Sequence, residues 1–171
     1  NNYNRSLNGG ASFASLGSTI NNNRGQFINP TDFDDAQKVL YCGDDPGRYY
    51  AILNLGGAAS GLIVSVLEFS NRSVTAVRVD ASAANTVWVG ASFGTTAALV
   101  PMVVKYSNAN TGTPTAVVNT TIAAAAGAAI SSIDIDPANA NHILVTLSNF
   151  GVVSVWESTN GGTSFTSIEG N

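Results

Sequence analysis

Apolar and polar positions alternate in short runs along the whole chain, and the runs return in a fixed order. The clearest stretch is Ser131 to Asp136, where Ile133 and Ile135 alternate with Asp134 and Asp136, the period of a strand with one wet face. Pro137 to Asn141 is a turn by composition. His142 to Leu147 is then almost continuously apolar, as expected of a strand covered on both faces. Asn149-Phe150-Gly151 turns the chain, Val152 to Glu157 forms a third strand, a polar turn follows at Ser158, and Phe165 to Ile168 is the fourth strand.

The same four-strand order fits two earlier stretches. One has strands near Gln26–Asn29, Lys38–Cys42, Arg48–Leu53 and Gly61–Phe69, the other near Val74–Val79, Thr86–Gly90, Met102–Tyr106 and Ala116–Ile122. Before them, Asn1 to Leu16 supplies a third strand, a turn and a fourth strand only. The divisions expected are therefore 1–19, the end of one unit, and three whole units at 20–70, 71–123 and 124–171. Ala123 to Ala129 has helical composition but is short and contains Gly127, and it reads as a connector.

Two markers hold the units in phase. Asp32, Asp80 and Asp136 each precede a small polar turn and then an apolar run, at intervals of roughly 50 residues, the range of four-stranded radial repeats. The second marker is a turn. Ser6-Leu7-Asn8-Gly9-Gly10-Ala11-Ser12-Phe13 returns as Ser158-Thr159-Asn160-Gly161-Gly162-Thr163-Ser164-Phe165, identical at six of eight positions. Asn suits Asx-turns, paired glycines allow positive φ, and a closing Phe can bury its ring between sheets. The matching turns at Leu53–Ser60 and Ser107–Pro114 have lost most of this pattern.

Composition narrows the class. With 44% apolar and 11% charged residues the chain is globular, and Asn, Ser, Thr and Gly carry its solubility, which suits a secreted β-rich protein. A net charge of −4 with no Lys/Arg cluster argues against a nucleic-acid partner. The longest apolar run, Ala97 to Val104, contains Pro101 and is too short for a membrane span, so no membrane insertion is expected. Cys42 is the single cysteine and reads as a small buried strand residue. The start at Asn1-Asn2-Tyr3-Asn4, without Met or leader, reads as a piece of a longer protein.

The turn Ser-x-Asn-Gly-Gly-x-Ser-Phe resembles the Asp-box, or bacterial neuraminidase repeat, with Ser6/Ser158, Gly10/Gly162 and Ser12/Ser164 at the matching positions. Asn8/Asn160 stand where that pattern has Asp, and Phe13/Phe165 where it has Trp. Together with the Asp-Pro-x-Asn turn, this is similar to blades of sortilin-like propellers and xyloglucanase-type glycoside hydrolases. The resemblance implies an all-β fold of β-propeller blades, four-stranded antiparallel meanders forming a partial propeller. It also implies that Ser6, Asn8, Gly10, Ser12, Phe13, Ser158, Asn160, Gly162, Ser164 and Phe165 are structural, since such boxes lie away from the active centre. Repeats of this sort occur in large secreted proteins of the Bacteroidetes, which implies a substrate of type IX secretion, located outside the cell or on its surface.

Residues that could carry chemistry do not converge in the sequence. Glycoside hydrolysis needs two carboxylates across a cleft; the candidates are Asp32, Asp34, Asp35, Asp44, Asp45, Glu68, Asp80, Asp134 and Asp136. Asp32, Asp80 and Asp136 recur once per unit and read as turn residues. The pairs Asp34/Asp35 and Asp44/Asp45 could form an acidic rim or hold Ca2+ weakly, though exposed loop charge is the simpler reading, and no other cofactor is expected. Arginines 5, 24, 48, 72 and 78 are scattered, and His142 has no partner nearby in sequence. Of the aromatics, Trp88 and Trp156 read as core, while Tyr49-Tyr50 alternate across a strand, so that one of them, beside Asp44 and Asp45, faces a ligand surface.

The first functional reading is a non-catalytic extracellular scaffold, partnered by further blades of the same polypeptide or another protein, with polysaccharide as a ligand. The second is part of a glycoside hydrolase, xyloglucanase-like or sialidase-like, with its catalytic carboxylates partly elsewhere. A solenoid adhesin would need a shorter repeat. Two carboxylates from different blades facing one another across a cleft would favour the enzyme.

Overall fold

The computed structural model describes residues 2–17, 28–44, 46–69, 71–92, 100–122, 128–148 and 150–170. Among the described residues the regular elements are strands and a 3-10 turn at Leu67–Phe69. Strands β1 (Asn4–Arg5) and β2 (Ala14–Ser15) form a two-stranded pair. Three four-stranded antiparallel meanders follow in chain order. The first is β3 (Thr31–Asp34), β4 (Val39–Gly43), β5 (Arg48–Leu53) and β6 (Ser60–Ser65). The second is β7 (Ser73–Val79), β8 (Val87–Ser92), β9 (Met102–Ser107) and β10 (Thr115–Thr121). The third is β11 (Ile130–Asp136), β12 (Asn139–Leu147), β13 (Val155–Ser158) and β14 (Thr166–Ser167).

The sheets pack face to face, and alternation along each strand decides which neighbour a side chain meets. Val39 and Tyr41 of the first sheet join Val87, Val89 and Tyr106 of the second in one core. Trp88 and Val103, on the opposite face of the second sheet, join Ile133, Ile143 and Val145 of the third. Tyr3 of the two-stranded pair packs on Cys42, Tyr50 and Ile52. The first strand of the second sheet, β7, touches both β3 and β11, the arrangement of sheets fanned about a common axis.

One latch repeats in every meander. The amides of Leu55, Ala109 and Gly161, in the turn after each third strand, donate to the carbonyls of Lys38, Asn85 and Asn141, each at 2.9 Å. These bonds align the turns at Asn54, Asn108 and Asn160, and the shared Ser-x-Asn-Gly-Gly pattern adds the turn at Asn8. The asparagine is thus kept where the rest of the sequence pattern is lost. Asn54 and Asn108 themselves take positive φ (54° and 52°), whereas in the other two turns the glycines do, at 67° and 90° for Gly9 and Gly10.

Several expectations need correction. The first strand of unit one is Thr31–Asp34, not Gln26–Asn29; of that range only 28 and 29 are described, and neither is strand. Phe33 pairs with Leu40, where Val79 pairs with Val87 and Ile135 with Ile143, so the β3–β4 turn is one residue shorter than its counterparts. The structural set is therefore Asp34, Asp80 and Asp136, and Asp32 is equivalent to Arg78 and Asp134. Strand β12 is covered on one face only, since Leu144 is 36% exposed while Ile143 and Val145 are fully buried. The connector expected at 123–129 falls mostly outside the described residues.

Candidate functional site

Where the three first strands meet, their equivalent positions form one charged cluster. Arg78 Nη2 lies 2.7 Å from Asp134 Oδ1, and its Nη1 lies 3.9 Å from Asp32 Oδ2. The same Asp32 oxygen accepts the Val79 amide at 2.8 Å. Three side chains from three sheets are thus tied through one guanidinium. A planar fork reaches two carboxylates at once, which a lysine could not do as well. Beside them an open groove of about 560 Å3 runs between the β3–β4 and β7–β8 turns, lined by Asp34, Gln37, Arg78 and Ser82 among others.

Asp34, Asp80 and Asp136 close the adjoining turns. Their Oδ1 atoms accept the amides of Gln37, Ser82 and Ala138, at 2.9, 3.0 and 2.8 Å. Asp80 carries more. Its buried carboxylate lies 2.7 Å from Lys105 Nζ and accepts the Trp88 indole N–H at 3.3 Å. Burial alone would raise the Asp80 carboxyl, but hydrogen bonds from Lys105 and Ser82 outweigh it and hold it below its ordinary value. Lys105 also stands over the Trp88 ring, 5.2 Å from its centroid.

In the third sheet Glu157 takes the place of Lys105, and a histidine stands between it and Asp136. His142 Nε2 is 2.8 Å from Glu157 Oε1, and its Nδ1 is 3.4 Å from Asp136 Oδ2. The Glu157 hydrogen bond, then that of Asp136, raises the His142 value above the ordinary one. His142 therefore has partners that the sequence did not suggest: Glu157 comes from the neighbouring strand, and Asp136 from across the β11–β12 turn. The arrangement favours the imidazolium and is suited to holding charge in place.

The two Ser-x-Asn-Gly-Gly turns match bond for bond. Ser6 Oγ donates to Asn8 Oδ1 at 2.9 Å and accepts the Gly10 amide at 2.8 Å. Asn8 Oδ1 accepts the Ser12 amide at 3.0 Å, while Asn8 Nδ2 donates to Ser12 Oγ at 2.9 Å. Ser158, Asn160, Gly162 and Ser164 repeat these bonds at 2.9, 2.8, 3.0 and 2.8 Å. Their surroundings differ. Phe165 packs against the Trp88 core, as expected of a ring folded between sheets, but Phe13 is 68% exposed. The expectation of a buried ring fails at Phe13 because no described sheet lies on that side.

The aromatic ligand surface is also corrected. Tyr49 and Tyr50 are both buried, because β5 is an inner strand of its sheet and has another layer on each face. Tyr49 donates its hydroxyl hydrogen to the Ala109 carbonyl at 2.7 Å and belongs to a cluster with Tyr41 and Tyr106. Asp44 is buried too, 3.7 Å from Arg48, so it is not a wet rim; Asp45 lies outside the described residues. Burial pushes the Cys42 thiol up to about 12, which leaves it inert as a nucleophile near neutrality. Among the described residues no three His, Cys, Asp or Glu side chains are placed to hold a metal ion, and no helix is long and apolar enough to cross a membrane.

No protein-family model matches the chain, and no curated protein matches it. Among solved structures it is similar to the crystal structure of a Niastella koreensis GH74 enzyme, a β-propeller glycoside hydrolase, with a TM-score of 0.54 and 19% identity. The match covers 83% of this chain and 22% of that one, so the chain spans about a fifth of that enzyme's length. At this identity the likeness is one of fold. The three four-stranded meanders are β-propeller blades, and the chain is a partial propeller.

Proposed function

We propose that the chain is a segment of a secreted or cell-surface β-propeller that works as a structural and interaction scaffold. Its blade boundaries are those read from the sequence, and its Ser-x-Asn-Gly-Gly turns are Asp-boxes acting as clips rather than ligand sites. Its partners are further blades of the same polypeptide or another protein, with polysaccharide as the ligand class. The observation that carries the reading is the Asp32–Arg78–Asp134 bridge. It places the charge of three first strands in a clamp between sheets, where an acid–base pair would need one free proton donor and one free base. The low charge and the Asn, Ser, Thr and Gly richness of the surface suit an extracellular setting.

A second reading, part of a glycoside hydrolase, is favoured by one specific feature. Asp32 and Asp134 come from different blades and meet at one guanidinium, and paired carboxylates on opposite sides of a substrate are what such enzymes use. Incubation with soluble β-glucans, xyloglucan included, separates the readings. Retarded migration in affinity electrophoresis without new reducing ends is expected of the scaffold. Release of reducing ends that Asp134→Asn abolishes would replace it with the enzyme. Neither retardation nor hydrolysis would remove polysaccharide from the proposal and leave a protein partner.

A further inference from the structure

In the second and third blades the aspartate that closes the first turn meets a cation of its own sheet. Asp80 has Lys105 Nζ at 2.7 Å, and Asp136 has His142 Nδ1 at 3.4 Å. Asp34, their equivalent in the first blade, is only 6% exposed, and its Oδ1 accepts the Gln37 amide at 2.9 Å. Among the described residues no cationic group pairs with it. Register gives the reason: Tyr41 pairs with Ala51 as Trp88 pairs with Lys105, so a side chain that ends at Cβ stands where the lysine supplies its ammonium. The cations closest in chain and groove are engaged elsewhere. Lys38 lies 2.6 Å from Asp35, and Arg78 is shared by Asp134 and Asp32.

A second group is left over at the same place. Trp88 donates its indole N–H to Asp80, whereas Tyr41, its equivalent, is wholly buried with a hydroxyl that has no hydrogen-bond partner among the described residues. Burial first, and then the Asp34 charge, push that hydroxyl up, so phenol and carboxylate share one environment. A carboxylate so deeply buried without a counter-charge is costly, and an unmade hydrogen bond adds to the cost. A singly charged ion answers both, since it neutralises one carboxylate and takes the phenol oxygen as a further ligand. Ca2+ would want about six to eight oxygens and more than one acid. Lys105 shows what the place accepts: an ammonium 2.7 Å from the carboxylate and 5.2 Å from the centre of the aromatic ring. Asp34 also lines the groove of about 560 Å3 between the β3–β4 and β7–β8 turns, which is a way in from solvent. We propose that Asp34 and Tyr41 hold a free monovalent cation, of the size of ammonium or potassium, in the place that the Lys105 ammonium holds in the next blade. The inference does not depend on the scaffold reading or on any glycan.

Thermal melts of the full chain in ammonium, potassium and tetramethylammonium chloride at equal concentration test it, the last ion being too bulky to enter. The melting temperature should rise by about 4 °C for each tenfold excess of ammonium or potassium over its Kd, and not in the third salt. Asp34→Asn keeps the oxygen that accepts the Gln37 amide and should abolish the dependence. Tyr41→Phe removes only the hydroxyl and should move the dependence to roughly tenfold higher concentration. Equal melting in the three salts would overturn the proposal, as would a dependence that persists unchanged in Asp34→Asn. If Asp34→Asn fails to fold, the Tyr41→Phe shift decides.

Discussion

Gly162 lies against the Trp88 indole so closely that a methyl group in place of its hydrogen would stand 2.6 Å from a ring carbon. The contact joins two blades, and it is possible only where the turn has no side chain. Gly162 also needs φ near 83°, which disfavours any other residue. Gly162→Ala is therefore expected to destabilise the protein by about 2–3 kcal/mol, from strain at positive φ and overpacking together. Gly10→Ala meets open space and should show the backbone part only, about 1 kcal/mol. Equal losses in urea denaturation of the two variants would contradict the contact.

Asn160 works through both atoms of its amide: Oδ1 accepts from Ser158 Oγ and the Ser164 amide, and Nδ2 donates to Ser164 Oγ. Asn160→Ala removes all of these in an exposed turn, and a loss of about 1–2 kcal/mol is expected. Asn160→Asp keeps the first two bonds, and Ser164 can reverse its hydroxyl to donate to the second oxygen. That variant should fall within about 0.5 kcal/mol of the parent. Thermal melts of both variants at neutral pH check the contrast.

Lys105 is the counter-charge of a carboxylate that is wholly buried, at 2.7 Å. Lys105→Met keeps most of the stem over Trp88 and removes only the ammonium. An uncompensated buried charge follows, with an expected cost of about 3–5 kcal/mol. Asp80→Asn in the same protein should recover part of it, because the charge left alone is then gone. A double-mutant cycle with no coupling between the two positions would show that the pair is not the cause.

His142 and Asp136 predict opposite limbs of a pH profile. The folded value of His142 is raised by Glu157 and Asp136, so its contribution is complete below its ordinary value of 6.5 and is lost as pH rises through the higher folded value. Asp136 is lowered, by the Ala138 amide first and then by His142, so its contribution is present above 3.8 and is lost as pH falls through the lower folded value. Melting temperature measured against pH should show His142→Gln flattening the neutral limb, with less effect on the acid one. An unchanged neutral limb in that variant would disprove the assignment.

Local signals carried the blade plan into the sequence. The alternation at Ile133 and Ile135, the turn residues after each first strand, and the twice-written Ser-x-Asn-Gly-Gly turn depend on neighbours a few residues apart, so they survive in the bare chain. The identity of the structural aspartate did not survive, because a turn one residue shorter between β3 and β4 moves Asp34 into the place that Asp32 holds by simple counting. Period alone tells which side of a strand a residue faces and not what stands there. Tyr50 sits on a strand that read as having one outward face, and Leu144 on one that read as covered; packing of the two-stranded pair buries the first, and an uncovered face exposes the second. Arg78 between Asp32 and Asp134, His142 between Asp136 and Glu157, and Gly162 on Trp88 were decided by tertiary structure, since charge and close packing act through space between strands and blades that the sequence sets far apart.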